Sequence, residues 1–228
     1  MRALSPVLAI SAALCTASAA RADDPAPPAP GAPPPAAAVS WATAQAAELS
    51  RQARDHASRG EAETAVTRYV EALRLDPTYA AAYLGLASLY EARGDVKEAE
   101  RTYAVGLDHV PGFADALAAR GRLRARLHRP EEAIADLEAA AALTPEALPL
   151  LRDLTAVYVT ARALPAALAV SRRMAAVAEA QQDAAALTEA KVRVKALSLL
   201  VAEADPVTAG RSGRGAVRSA LALAGKRR

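Results

Sequence analysis

Cysteine is almost absent from this 228-residue chain: Cys15 is the only one, and tryptophan and phenylalanine also occur once each. Cys15 lies in an apolar N-terminal stretch. If that stretch is removed, the chain can form no disulfide and no thiolate metal site, even in an oxidising compartment. Aromatic residues make up 4% of the chain. With strand-type alternation also nearly missing, this argues against a barrel or sandwich and for an all-α fold packed through small side chains. Histidine is scarce too: His56, His109 and His128 stand far apart and in no recognisable metal spacing. No Gly-x-Ser-x-Gly, phosphate loop or dinucleotide fingerprint occurs. Glu131 and Glu132 follow Pro130 at a helix start, where acids favour the helix dipole, so they are not read as a catalytic pair. No enzymatic function, metal or cofactor is expected.

Charge of one sign is lacking as well. The net charge is +3; without residues 1–22, which hold Arg2 and Arg21, 26 basic residues face 25 acidic ones. The remaining imbalance is local: residues 206–228 hold Arg211, Arg214, Arg218, Lys226, Arg227 and Arg228 and no acid. A nucleic-acid partner is therefore not expected.

What is abundant is alanine, set out at a fixed interval. Pro77, Pro111 and Pro145 each follow the last by 34 residues. In the same register stand Ala65, Ala99, Ala133 and Ala167; Tyr69, Tyr103, Leu137 and Ser171; Leu49, Tyr83, Leu117 and Leu151; and Ala53, Ala87, Gly121 and Thr155. Such a period predicts stacked repeats rather than one closed core. Two helix-length segments lie between successive prolines, broken near Arg59-Gly60, Arg93-Gly94-Asp95 and 127–130. Glycine suits the end of the first helix and proline the start of the next. Tyr83, Leu86, Ala87 and Tyr90 form one buried stripe at helical spacing.

Through Tyr83, Leu86, Ala87, Tyr90, Gly94, Ala99, Tyr103, Gly106 and Pro111 the chain resembles the tetratricopeptide repeat family. The units are 46–79, 80–113, 114–147 and a degenerate 148–181, within a repeat region of 40–181. The unit 114–147 places Arg120 and Arg124 at normally buried positions. The resemblance implies a right-handed α-solenoid of about four helix-turn-helix repeats, with residues 182–204 as a C-terminal capping helix. Asp183 is read as the N-cap of that helix, and Leu187, Ala190, Val194, Leu197 and Val201 as its inner face. A dimerisation helix is the alternative, and the oligomeric state is left open.

In repeats of this family, one side of the first helices lines a concave groove that binds peptides or partner helices. The matching residues are Ser50, Arg54, Ala57, Leu84, Ser88, Glu91, Asp115, Arg122, Arg152 and Ala156, with Arg51 and Arg126 at the margin. The arginines suit a protein or peptide partner bearing carboxylates. Some family members clamp a chaperone's C-terminal carboxylate with Lys and Asn residues. Ser50, Arg54, Gly85, Asp115 and Ala119 stand in those places here, so that specificity is not implied.

Residues 1–22 read as a secretory signal peptide cut after Ala22, or after Ala19. Ala12 and Leu14 stand where a lipoprotein signal at Cys15 needs a leucine and a small residue. Residues 23–39 hold seven prolines and read as a Pro/Ala-rich disordered linker. Ser40 is placed as the cap of a helix starting at Trp41, and Trp41 as a lid on the first repeat, with exposure at an interface as the alternative. Residues 205–228 read as a basic, disordered tail. A periplasmic or secreted, non-enzymatic adaptor is the function expected. Its alternatives are an inner-membrane-anchored envelope assembly factor that retains residues 3–20, or an accessory subunit of an envelope enzyme. Membrane contact would come only through a retained N-terminal segment or a lipid-binding tail.

Overall fold

The computed structural model describes residues 36–204, so the signal segment with Cys15, the proline-rich run up to Pro35 and the basic tail lie outside the described residues. Nine helices, and no strand, are found among the described residues. They are α1 (Ala36–Ser58), α2 (Ala62–Leu75), α3 (Ala80–Arg93), α4 (Val96–His109), α5 (Ala114–Arg126), α6 (Pro130–Leu143), α7 (Leu148–Thr160), α8 (Leu164–Ala180) and α9 (Ala184–Ala204). The all-α, helical-hairpin expectation holds: consecutive helices pair through tight turns. No described helix is long and apolar enough to cross a membrane.

The chain divides into two compact units, with the boundary between Arg120 and Gly121 inside α5. In the first, α1 packs on both α2 and α3, α2 on α3, and α3 on α4. In the second, α6 packs on α7, α7 on α8, and α8 on α9.

Helix ends follow from local chemistry. α2, α4 and α6 stop two residues before Pro77, Pro111 and Pro145 respectively, because proline lacks the N–H and crowds the preceding turn. α6 starts on Pro130 itself, a favoured first-turn position. Inside the hairpins the backbone turns through the left-handed region at Gly60 (φ 81°), Gly94 (φ 80°), His128 (φ 57°) and Arg162 (φ 58°). These four positions share the 34-residue period of the prolines, although only two are glycine. Asp183 caps α9, its Oδ1 accepting from the Ala186 N–H at 2.9 Å.

Packing explains the repeated columns. Ala65, Ala99, Ala133 and Ala167 are all fully buried, as are Tyr83, Leu86 and Ala87 beside the nearly buried Tyr90. Gly121 admits Leu137: a Cβ there would lie 2.8 Å from the Leu137 Cγ. Tyr83 is pinned at both ends, its hydroxyl donating to the Pro77 carbonyl at 3.0 Å and its ring stacked 6.3 Å from that of His109. Burial, and secondarily the charge of Asp76, push the Tyr83 hydroxyl up to about 12, so it stays a donor. In the second unit Leu148, Leu151, Met174, Ala178, Ala186 and Ala190 join α7, α8 and α9 in one core.

Two local readings are corrected, and one departure from the repeat pattern is explained. α1 begins at Ala36 rather than Trp41, so Ser40 lies within the helix; alanines 36–38 are the strongest helix formers and continue it backward. Trp41 is 61% exposed and is no lid. α1 buries Ala46, Ser50 and Ala53, and Trp41 falls on the opposite face at 100° per residue. Arg124, at a normally buried position, keeps its charge by pairing: its Nη1 donates to the nearly buried Asp136 carboxylate at 2.8 Å, with Glu132 at 3.6 Å.

Candidate functional site

The first unit carries an open trough of about 570 Å³ lined by Arg54, Ala57, Tyr69, Ala81, Leu84, Gly85, Ser88, Leu89 and Ala92. Its walls are α1 and α3. The spacing of Ala81, Gly85, Ser88 and Ala92 puts one helical face of α3 along it. The floor is the Tyr69 ring, which reaches across from α2 and lies directly on Gly85. A Cβ on Gly85 would sit 2.4 Å from the Tyr69 Cζ and Oη, so the glycine is what lets the ring lie flat. Burial pushes the Tyr69 hydroxyl upward in pKa, partly opposed by the nearby Arg54 charge, and it remains protonated.

Arg54 is the one cation lining this trough, and no carboxylate among the described residues pairs with it. The arginine beside it behaves differently. Arg51 is held on the surface of its own helix, 2.6 Å from Glu48 and 3.4 Å from Asp55. The hydrogen bond from Arg51 holds the Glu48 carboxyl down at about 2.

The other sequence-predicted positions divide. Ala57, Leu84 and Ser88 line the trough with Arg54. Ser50 does not: it is fully buried, and its Oγ has no hydrogen-bond partner among the described residues. Glu91 lies off the trough and accepts from the Tyr103 hydroxyl at 2.7 Å. In the second unit Arg122 reaches Asp153 at 3.1 Å, and Arg126 is exposed near the end of α5. Asp115, in the first unit, and Ala156, in the second, are also exposed. Arg152 grips Glu189 of α9 with two nitrogens, Nη2 at 2.6 Å and Nε at 2.9 Å, while Arg193 holds the same carboxylate at 2.7 Å. The second unit's predicted groove arginines Arg122 and Arg152 thus already have carboxylates from their own chain, 31 and 37 residues away.

The sequence pattern did not reveal Tyr69, Gly85, Leu89, Ala81 and Ala92 as lining residues. The missed signal was an aromatic on the second helix with a glycine on the following first helix, a pair that only close helix contact makes meaningful. Among the described residues no group of three His, Cys, Asp or Glu side chains is placed to hold a metal ion.

The tetratricopeptide repeat family profile matches residues 42–123, the stretch that contains both trough walls and the floor. Residues 42–123 carry the tetratricopeptide repeat pattern. A tetratricopeptide repeat protein from Parabacteroides merdae shares the fold at 18% identity and a TM-score of 0.56, over 68% of this chain and 60% of that one. Pseudomonas aeruginosa pilF is similar at 20% identity and a TM-score of 0.50, over 68% of this chain and 77% of its own. MamA is similar at 17% identity and a TM-score of 0.50, over 67% and 90%. At these identities the likeness is one of fold. No curated protein matches this chain.

Proposed function

We propose that this tetratricopeptide repeat protein is a non-enzymatic interaction scaffold, and that the first unit's trough receives a segment of a protein partner. The carrying observation is one uncompensated cation, Arg54, at the wall of an otherwise apolar trough floored by Tyr69 on Gly85. An apolar side chain fits over that floor. A carboxylate one or two residues along the same segment meets the guanidinium, whose two-pronged donors suit it. The Arg152–Glu189 and Arg122–Asp153 pairs, though partly exposed, already engage those guanidinium groups and leave the second unit less to offer an acidic partner.

The test is cross-linking and capture with wild type and an Arg54→Glu variant, with Arg122→Glu as the control. Arg54→Glu should weaken the specific partner roughly tenfold, about 1.4 kcal/mol, and Arg122→Glu should change little. Equal retention by both variants would remove the trough from the function.

Export is part of the same proposal, resting on the positive start at Arg2, the apolar run to Ala20 and the small residues around Arg21. The intact mass of the protein recovered from its native cell should correspond to a chain beginning at Asp23. A mass that retains residues 1–22 would favour the membrane-anchored alternative.

A further inference from the structure

The outer face of α9 goes beyond the trough and does not depend on it. Helix α9 buries Ala186, Ala190 and Leu197 against the second unit, with Leu187, Val194 and Val201 packed beside them. On the opposite face Val192 is 64% exposed and Leu199 59%, with Leu200 46% exposed next to it. A terminal helix that only covered the last repeat would carry polar residues there. Leu199 is instead framed by charges of opposite sign one helical turn away on each side, Lys195 before it and Glu203 after it. Both are exposed, and neither forms an ion pair among the described residues.

Residues 195, 199 and 203 form one i, i+4, i+8 ridge, the kind that packs into the groove of another helix. The pattern reads minus-for-plus when reversed. If a second α9 runs antiparallel across a two-fold axis at Leu199, Leu199 meets Leu199. Lys195 of each chain then faces the other chain's Glu203, and the pair forms twice. A self-complementary patch of this kind is what a two-fold interface requires.

We infer that α9 is a self-association surface and that its occupant is the α9 of a second copy of this chain. Apolar burial of Leu199 against its counterpart supplies the attraction, and the reciprocal Lys195–Glu203 pairs set direction and register, the usual role of rim charges. A contact this small makes a dimer that dissociates on dilution.

Sedimentation velocity on the full chain over a concentration series tests this. Wild type should show a monomer–dimer equilibrium, and Leu199→Glu should weaken it at least tenfold, with the far-UV circular dichroism unchanged. Lys195→Glu alone and Glu203→Lys alone should each weaken the homodimer, since each sets like charges opposite one another. Mixing the two single variants should restore dimer, because every cross-chain pair in the mixed species is again opposite in sign. A monomeric wild type, whether the face is bare or covered by its own residues 205–228, overturns the inference. So does a dimer indifferent to Leu199→Glu, or a mixture no more associated than its components.

Discussion

At the scale of single residues, the recurring turn position shows how a repeat outlives the residue that suits it. Gly60 and Gly94 take a positive φ at no steric cost; His128 and Arg162 take it one and two periods later with a side chain in place. An L-residue in the left-handed region costs roughly 1–2 kcal/mol, and glycine gives back part of that in unfolded-chain entropy. His128→Gly should therefore stabilise the protein by about 0.5–1 kcal/mol, read as a rise of a few degrees in the circular dichroism melt. A lower melting temperature would show that the imidazole makes contacts that outweigh the strain. The first two turns were legible in the sequence because glycine marks them. The third was placed only as a break, because histidine has no such conformational signature. Ser50 was misplaced for a related reason: helical angle assigns a side, but whether that side is covered depends on neighbours distant in sequence.

At the scale of elements, the helices were readable because each proline stops a helix for a covalent reason that packing cannot override. The start of α1 was not, since a run of alanines offers no boundary of its own and the linker's composition pointed the other way. The link between α7 and α9 was hidden too, because nothing local couples Arg152 to Glu189. That link has a pH signature. The hydrogen bond from Arg152 holds the Glu189 carboxyl below its ordinary range, with burial opposing it more weakly. A depressed folded-state pKa contributes stability above the unfolded-state value, and that contribution is lost as pH falls through the ordinary glutamate range and below it. A carbon-detected titration should place the Glu189 midpoint below that of a free glutamate, and Arg152→Ala should return it towards the ordinary value. An unmoved midpoint would mean the pair does not persist in solution.

At the scale of the whole molecule, the fold class and the repeat period could be read directly, and about half of the trough with them. Its walls follow from counting 100° per residue along α1 and α3. Its floor does not, because it depends on a tyrosine lying where one particular glycine lacks a side chain. Equally hidden was the pairing of Arg122 and Arg152 with carboxylates of their own chain, which sets them apart from Arg54 in the first unit's trough. Long-range ion pairs of this kind leave no periodic trace.

The single tryptophan has a practical bearing on all of these measurements. Trp41 stands on the outer side of α1 and is already 61% in water. Its emission should begin red and change little when the chain is denatured, so an intrinsic-fluorescence melt would miss unfolding that other probes detect. That same solvated indole should shift blue when a binding partner lies across the back of α1, making Trp41 a native dye for that surface.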